Sequence, residues 1–463
     1  MAKRELAGRW APYDNAITPG PGDDPSVGHA RAVCAILFGA SGSRRFDVRY
    51  WAGHTEQART QPAAFTFVVA RPGGLRRMLL PPSELTIIEA AISGDIEIEG
   101  DMESAMWLGD GINDRLRSPK NLVALVRHLR ALPREEPSVD VRKHRAAHSV
   151  EKEGSQHEPE RDRAAIRYHY DVGNDFYKLW LDRRMLYSCA YFDSGTDPDL
   201  ELEDAQVAKL DLICRKLRLQ PGDRLLDVGC GWGALIMHAA TQYGATALGI
   251  TLSDAQAALA RERIASAGLS HRCHVEIRDY RALDGLEPFD RIASVGMVEH
   301  VGVAHLETYF ASLFGALRPG GLVLNHGIVS VAEARPKSRW DWLERRIWKR
   351  DAFMEQYVFP DGRLGPVSAV ISSAERVGFE TRDLESLREH YALTLRAWLA
   401  RLERNKSEAI ALTDARTYRT WRLYMAGSAF GFSSGRLNIV QTLFAKPDAE
   451  GRSHLPLRRR KGD

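Results

Sequence analysis

The chain has 463 residues, of which 44% are hydrophobic and 27% charged, and its 64 Lys and Arg nearly balance its 61 Asp and Glu. This length predicts more than one domain, and the composition excludes a disordered chain and a protein that wraps nucleic acid by charge alone. The five cysteines stand apart with no Cys-x-x-Cys pair, which predicts neither disulfides nor a metal site, and a reducing cytoplasmic setting. The sequence shows no signal-like start and no run of about 20 apolar residues, so any membrane contact is predicted to be peripheral.

Residues 1–132 mix strand and helix patterns. Alternating or β-branched runs at 46–51, 65–69 and 96–100 predict strands, and Asp101 and Asn121 can each begin a helix. These patterns indicate a small α+β domain. Residues 133–163 contain many charges and few apolar side chains, which predicts a linker.

From residue 164 onward, apolar strands alternate with helical stretches, the pattern of a doubly wound parallel sheet. The predicted strands are 224–228, 246–251, 274–277, 291–295 and 322–326, and strand character returns at 438–444. We therefore predict an α/β catalytic domain over residues 164–446, with a Rossmann-like sheet, and a basic tail over residues 447–463.

A glycine-rich turn follows the first of these strands. Asp227 stands near the end of the strand, and Gly229, Gly231 and Gly233 follow at alternate positions. Glycines here let the backbone approach a ligand closely, and the next helix begins with free N–H groups. The spacing differs from the Gly-x-Gly-x-x-Gly of dinucleotide sites. The carboxylate of Asp227 is suited to a cationic amino group.

Polar side chains follow the next two strands at the same predicted edge of the sheet. Thr251, Leu252 and Gln256 are suited to a ribose, and Asp279 and Tyr280 to an adenine ring. The alternative is that the polar residues after the second strand only cap a helix. Together with the glycine turn, they favour a nucleoside-containing cofactor.

Five motifs resemble, in order, those of the cyclopropane fatty acid synthases, which are class I methyltransferases that use S-adenosylmethionine. They are YHYDVGNDFY at 168–177, YSCAYF at 187–192, GCGWG at 229–233, GITLSDAQ at 249–256 and EHVG at 299–302. These synthases and their relatives that modify mycolic acids transfer a methylene group to a cis double bond of a lipid acyl chain. The resemblance implies S-adenosylmethionine as the cofactor, with Tyr187 and Ser188 at its methionine part.

Such a reaction needs the sulfonium methyl group within ~3–3.5 Å of the double bond in a dry pocket, and then a base that removes a proton so that the ring closes. The resemblance implies that bicarbonate is this base. It also implies the residues that hold the bicarbonate, which are Cys189, Glu299, His326, Tyr391 and the backbone of Ile328. Each side chain also has a structural interpretation, as a small buried thiol, a helix cap, a core histidine and a rim aromatic.

Two further segments bear on the substrate. Residues 334–355 are rich in Arg, Lys and Trp, which suits a helix on an anionic lipid surface, with a solvated helix over the site as the alternative. Residues 94–101 resemble a turn in the N-terminal lipid-presenting domain of the two-domain bacterial synthases. That resemblance favours a phospholipid substrate.

We therefore predict a cyclopropane-fatty-acyl-phospholipid synthase that is cytoplasmic, peripherally bound to the membrane and active on an unsaturated phospholipid. The alternatives are a methylene- or methyl-branched product, methylation of a small amine or phenol, and a lipid carrier without activity. A nucleic-acid methyltransferase would need a broad basic face, whereas the basic residues here are confined to short stretches, so no nucleic-acid partner is predicted. A homodimer is left open.

Overall fold

The computed structural model describes residues 24–116, 118–136, 172–194, 198–331, 353–358 and 364–457. The chain divides into two compact units. Unit 1 comprises Met1–Val150, Arg335–Tyr357 and Ala415–Gly427, and unit 2 comprises Glu151–Ala334, Val358–Asp414 and Ser428–Asp463. The start of the first motif (168–171), most of the predicted linker, nearly all of the basic segment 334–355 and the end of the tail (458–463) lie outside the described residues.

Unit 1 contains a four-stranded mixed sheet in the order β2-β1-β3-β4, in which β1 and β3 are parallel and the other pairs antiparallel. Its strands are β1 (Asp47–Tyr50), β2 (Thr55–Glu56), β3 (Phe65–Val69) and β4 (Ile96–Gly100). Its helices are α1 (Pro25–Phe38), α2 (Gly74–Leu79), α3 (Glu84–Ile92), α4 (Met102–Met106), α5 (Leu108–Leu116) and α6 (Pro119–Ala131), with a π-helical turn at Met354–Val358. The alternation in β1 buries Val48 and Tyr50 in the core of this unit.

Two segments from late in the chain complete unit 1. The Tyr357 hydroxyl donates to Glu89 Oε1 at 3.0 Å, and the Arg419 guanidinium donates to Glu97 Oε1 at 2.8 Å. Arg422 donates to the Ile98 carbonyl at 2.8 Å. Unit 1 is therefore built from three separate segments of the chain and not from the first 150 residues alone. The sequence-based prediction, with boundaries at residues 132 and 163, did not include the two later segments.

Unit 2 contains a seven-stranded sheet in the order β10-β11-β9-β8-β5-β6-β7. Its strands are β5 (Arg224–Val228), β6 (Thr246–Thr251), β7 (Cys273–Ile277), β8 (Phe289–Val295), β9 (Leu317–Ser330), β10 (Glu380–Ser386) and β11 (Leu437–Ala445). The five strands β5 to β9 are parallel, as predicted. β11 runs antiparallel to both of its neighbours, so the sheet is mixed at this edge.

Helices cover both faces of this sheet. They are α7 (Asn174–Lys178), α8 (Pro198–Lys216), α9 (Ala234–Tyr243), α10 (Asp254–Ser266), α11 (Val298–Val301), α12 (Leu306–Ala316), α13 (Val367–Arg376), α14 (Arg388–Arg404), α15 (Lys406–Leu412) and α16 (Ala415–Ser433), of which α16 begins in unit 1. Successive strand residues face opposite sides, so Leu225 packs in one apolar cluster and Leu226 in the other. Burial on both faces explains why the strands of this sheet are apolar runs rather than alternating ones.

The sheet brings the ends of its parallel strands to one edge. Asp227 pairs with Gly249 of β6 on one side and with Ala293 of β8 on the other, and Val295 pairs with His326 of β9. Open α/β sheets bind ligands at this edge. In the part of the chain that the structure describes, no helix has both the length and the apolar character to cross a bilayer.

Candidate active site

A cleft with an empty volume of about 1010 Å³, including its open mouth, lies at the carboxyl edge of the unit 2 sheet. Nine of the residues predicted to hold the cofactor line it. They are Tyr187, Ser188, Asp227, Gly229, Gly231, Thr251, Leu252, Gln256 and Tyr280. Gly233 and Asp279 are not among its lining residues. The sheet thus gathers residues from four separate stretches of sequence around one cavity.

The glycine turn shapes the floor of this cleft. Gly229 has φ of 81°, and a Cβ atom there would lie 2.6 Å from Met297 Sδ. The N–H groups of Gly229 and Cys230 donate to the Ile250 carbonyl, each at 3.0 Å, which ties the turn to β6. Gly233, also at positive φ, is the N-cap of α9 and acts on the turn rather than on the cavity wall.

The residues after β6 and β7 differ in their roles. Thr251 Oγ1 donates to Gln256 Oε1 at 2.9 Å, so two residues predicted for the ribose hold each other in place. The Asp279 carboxylate accepts from the Arg281 backbone N–H at 2.8 Å and forms an ion pair with the Arg281 guanidinium at 2.6 Å. That carboxylate is engaged outside the cleft, whereas the Tyr280 ring lines it.

A buried lysine lies beside the residues predicted for the methionine part. Lys209 of α8 is 1% exposed, lines the cleft and donates from Nζ to Ser188 Oγ at 2.6 Å. Burial lowers the pKa of Lys209 to about 8 and raises that of Asp227 to about 7, and each charge opposes the effect of burial on the other. Sequence reasoning missed Lys209, although a lysine at a buried helix position is itself a signal.

Glu299 lies next to the cleft but does not line it. Its neighbours Met297 and His300 are lining residues, whereas the Glu299 side chain turns toward β9 and accepts from the Ile328 N–H at 2.7 Å through Oε1. The second carboxylate oxygen is buried and has no partner among the described residues. Burial raises the pKa of Glu299 to about 7, against the lowering effect of the Ile328 N–H.

His326 is fixed by a chain of hydrogen bonds that the sequence did not suggest. Lys216 Nζ donates to Gln441 Oε1 at 2.9 Å, and Gln441 Nε2 lies 3.1 Å from His326 Nδ1. An ammonium group can only donate, so it holds the amide with its N–H₂ toward the ring. Nδ1 is then the acceptor and Nε2 carries the proton. Burial, with the charges of Lys209 and Lys216, holds the pKa of His326 well below its usual value, so the ring is neutral.

Cys189 and Tyr391 meet at the start of α14. The Cys189 thiol is fully buried, lies 3.3 Å from the Ala190 carbonyl and lies 3.8 Å from the Leu387 carbonyl. The Leu387 carbonyl also accepts from the Tyr391 backbone N–H at 3.0 Å. Burial raises the pKa of Cys189 and keeps it protonated at neutral pH. The Tyr391 ring centroid lies 4.7 Å from that of Phe432. Cys189 is therefore placed to act as a weak donor and not as a nucleophile.

The residues around β9 fit a small anion that carries one proton. His326 Nε2–H is a donor, Glu299 Oε2 is an acceptor, and both atoms are buried without a partner among the described residues. Buried polar atoms are rarely left unpaired, so each points to a missing hydrogen-bond partner. Bicarbonate has both the acceptor oxygens and the O–H group that this pair requires. The Ile328 N–H, predicted to meet the anion, donates to Glu299 instead.

Gly327 follows His326 in the chain and lies close to Glu299, which gives a testable expectation. A Cβ atom at Gly327 would lie 2.1 Å from Val298 Cγ1 and 3.5 Å from Glu299 Oε2. We expect Gly327→Ala to lower the free energy of unfolding by about 1–3 kcal/mol, because Val298 is buried and must move. Gly315→Ala is the matched control, since its Cβ would meet open space within α12 and alanine favours a helix. Thermal and urea unfolding measure both changes, and equal stability of the two variants would contradict the expectation.

The chain is similar to known proteins in sequence and in fold. A model of the mycolic acid cyclopropane synthetase family matches residues 157–442. The chain is 40% identical over 410 residues to a probable fatty acid methyltransferase of Pseudomonas putida, covering 88% of this chain and 94% of that protein. It is 36% identical over 278 residues to cyclopropane mycolic acid synthase 1 of Mycobacterium tuberculosis (strain ATCC 25618 / H37Rv), covering 60% and 95%. The crystal structure of mycolic acid cyclopropane synthase CmaA1 complexed with SAH and CTAB superposes with a TM-score of 0.56 at 35% identity, over 61% of this chain and 97% of that one.

The sheet with its glycine turn and the cleft at its carboxyl edge define a class I S-adenosylmethionine-dependent methyltransferase, as predicted. The family match covers more than half of the sequence, and the Pseudomonas relative is similar along nearly its whole length. The chain belongs to the mycolic acid cyclopropane synthetase family.

Proposed function

We propose that the protein transfers a methylene group from S-adenosylmethionine to the cis double bond of an unsaturated phospholipid acyl chain and forms a cyclopropane ring. The observation that carries this proposal is that Glu299 Oε2, an acceptor, and His326 Nε2, a donor, are buried without a partner among the described residues. Glu299 is next to the cleft-lining His300 in the chain, and His326 pairs with the cleft-lining Val295. Ring closure requires a base that removes a proton from the transferred methyl carbon, whereas methylation of an amine or phenol removes the proton from the nucleophile itself. The names of the relatives, a probable fatty acid methyltransferase and a cyclopropane mycolic acid synthase, support action on lipid chains.

Cyclopropane formation takes two steps, methyl transfer and ring closure. The methyl carbon bonds to one olefin carbon, the sulfonium sulfur keeps the electron pair, and the other olefin carbon becomes cationic. Loss of a proton from the new methyl group lets its C–H electron pair close the ring. Bicarbonate, when bound, supplies the base for this proton. Glu299 would accept the hydrogen bond of the bicarbonate O–H, and His326 Nε2 would donate to one of its oxygens. The donor roles of Cys189 and Tyr391 are those that the sequence resemblance implies.

The experiment that tests this function uses purified protein, S-adenosylmethionine labelled in its methyl group, and vesicles of unsaturated phospholipid. We expect label in the phospholipid, ring hydrogens in the proton NMR spectrum, and a rate that falls when bicarbonate is removed. Vesicles of saturated phospholipid are the control and should take up no label. Labelling that is independent of bicarbonate would contradict the roles given to Cys189 and Tyr391, and labelling of free fatty acid alone would contradict the phospholipid substrate.

A second candidate product is a methyl- or methylene-branched chain, which the name of the Pseudomonas relative favours. It shares the transfer step. Loss of a different proton gives a methylene-branched chain or an unsaturated methyl-branched chain, and a saturated methyl-branched chain would need a reductant in addition. Mass spectrometry does not separate a methylene-branched chain from a cyclopropane, so proton NMR of the purified lipid decides between them.

The pKa of Glu299 gives a prediction for the pH dependence of turnover. Glu299 can accept a hydrogen bond through Oε2 only while that oxygen is unprotonated, and its pKa is raised to about 7. We therefore expect the rate to rise with pH through about 7 and to level off above it. The measurement is the initial rate between pH 6 and 9 with the bicarbonate concentration held constant. A profile that is flat across pH 7 would contradict the assignment.

We also propose that the protein is cytoplasmic and binds the membrane peripherally, with unit 1 presenting the lipid. The basic segment predicted for this contact is largely outside the described residues, but α6 offers a second surface. Leu122 is 45% and Val123 is 71% exposed, and α6 carries Lys120, Arg127 and Arg130 with no acidic residue. Exposed apolar side chains beside basic ones suit an anionic lipid surface.

Sedimentation with anionic vesicles tests this contact. We expect the variant Leu122→Ser/Val123→Ser to bind the vesicles at least about threefold more weakly than the unaltered protein. The control is Leu412→Ser in unit 2, because Leu412 is equally exposed at 46% and lies on another helix. Equal binding by all three proteins would contradict docking through α6, and a variant with the basic residues of 334–355 neutralised tests that segment separately.

A further inference from the structure

Lys209 is a buried cation whose hydrogen bond fixes the direction of a neighbouring hydroxyl. Its Nζ donates to Ser188 Oγ at 2.6 Å, and both residues line the cofactor cleft. A lysine ammonium has three donors and no acceptor, so Ser188 Oγ must be the acceptor in this contact. The Ser188 O–H is then left to donate to another group. Inside the cleft, that group has to be an acceptor such as a carboxylate.

The same lysine also interacts electrostatically with two buried carboxylates, Asp182 and Asp227, of which only Asp227 lines the cleft. Asp227 is 2% exposed and lines the cleft, and burial on this scale favours its neutral form. The positive charge of Lys209 opposes this effect and favours the ionised form. Only the ionised form can pair with an ammonium group. Lys209 therefore favours an Asp227 carboxylate that can accept from a cation, and it leaves the Ser188 O–H free to donate to an anion in the same cleft.

We propose that Lys209 is a positioning residue for the amino-acid end of S-adenosylmethionine. Its charge favours the ionised form of Asp227, which receives the α-ammonium group, and its hydrogen bond directs the Ser188 O–H to the α-carboxylate. The α-amino acid is a zwitterion, and the pair Asp227 and Ser188 is complementary to it in charge and in hydrogen bonding. This inference rests on the cofactor assignment and adds a residue that the sequence motifs did not contain.

A purely structural role explains the burial of Lys209 less well than the positioning role does. A lysine in a site that is 1% exposed has to be desolvated, and a methionine would fill a similar volume without that cost. The ammonium group is also directed to Ser188 in the cleft wall and not to a carbonyl at a helix end. A role limited to packing predicts that its removal weakens all ligands of the cleft equally.

The test measures ligand binding by calorimetry and needs no lipid. Three ligands share the adenosine and differ at the amino-acid end: S-adenosylhomocysteine has both charged groups, S-adenosyl-3-thiopropylamine lacks the carboxylate, and 5′-methylthioadenosine lacks both. We expect Lys209→Met to weaken S-adenosylhomocysteine by about 100-fold and the thiopropylamine by about tenfold, with 5′-methylthioadenosine unchanged within twofold. Ser188→Ala should weaken only S-adenosylhomocysteine, by about tenfold.

The double variant Lys209→Met/Ser188→Ala completes a cycle. The quantity compared is the ratio of the dissociation constants of the thiopropylamine and S-adenosylhomocysteine. If Lys209 acts on the carboxylate through Ser188, this ratio is the same within twofold for the double variant and for Lys209→Met alone. Fully additive losses would overturn this inference, as would equal weakening of all three ligands by Lys209→Met.

Two further outcomes are decisive. Should Lys209→Met fail to fold, Ser188→Ala alone decides, because equal losses for S-adenosylhomocysteine and the thiopropylamine would overturn the role given to its O–H. Failure of the unaltered protein to bind S-adenosylhomocysteine would overturn the cofactor assignment itself, which is a different result from a loss of discrimination.

Discussion

Glu299→Gln is expected to lower turnover by at least about 100-fold while S-adenosylmethionine binding stays within twofold of the unaltered protein. Glutamine has the same shape, and its amide oxygen can still accept the Ile328 N–H, so the position of the side chain is kept. The variant loses the negative charge and one acceptor oxygen at the place where a proton-carrying anion fits. The measurement is a comparison of the turnover number with the cofactor dissociation constant.

The matched control for this prediction is Glu307→Gln, on α12 eight residues further along the chain. Glu307 pairs with Arg376 on the surface, where the two side chains are 59% and 56% exposed, and such pairs contribute little. We expect the control to keep its turnover within twofold. Near-normal product formation by Glu299→Gln would remove Glu299 from the catalytic role.

Asp227→Asn is expected to weaken S-adenosylmethionine binding by about 100-fold. The asparagine is isosteric, but it has no negative charge to pair with the α-ammonium group. It also removes one of the two buried carboxylates, Asp182 and Asp227, whose charges oppose the effect of burial on Lys209. Turnover at saturating cofactor should fall much less, because the role proposed for Asp227 is at the amino-acid end of the ligand and not at the transferred carbon. Calorimetric titration with S-adenosylhomocysteine measures the loss directly.

Asp284→Asn serves as the comparison, since Asp284 is exposed and lies outside the cleft. It should bind S-adenosylhomocysteine as the unaltered protein does. If Asp227→Asn bound the ligand within threefold of the unaltered protein, the ammonium pairing and the zwitterion complementarity would both be wrong.

Local sequence patterns predicted much of the fold. The runs at 224–228 and 246–251 coincide with β5 and β6, and the glycine turn between β5 and α9 has the positive φ angles that it indicated. These features depend on residues that are neighbours in the sequence, so each can be predicted from a single segment. The antiparallel direction of β11 is different in kind, because it depends on which strand lies beside it after a long helical segment.

The residues that sequence reasoning missed are those defined by long-range contacts. Gln441 meets His326 only because β11 pairs with β9 in a particular register, and Lys216 reaches Gln441 from the end of α8. No spacing along the chain links these three residues. Lys209 was missed for a related reason, since its burial depends on the packing of α8 against the cleft.

The placement of Gln441 on the last strand has a consequence for synthesis on the ribosome. Among the described residues, those that line the cofactor cleft all belong to positions 185–300, although the Tyr187 ring also packs against Trp398 of α14, with centroids 5.3 Å apart. The protonation form of His326, in contrast, is set only when β11 has emerged and added itself to the sheet. A nascent chain without β11 thus contains the residues that line the cofactor cleft but lacks the hydrogen bond that sets the tautomer of His326.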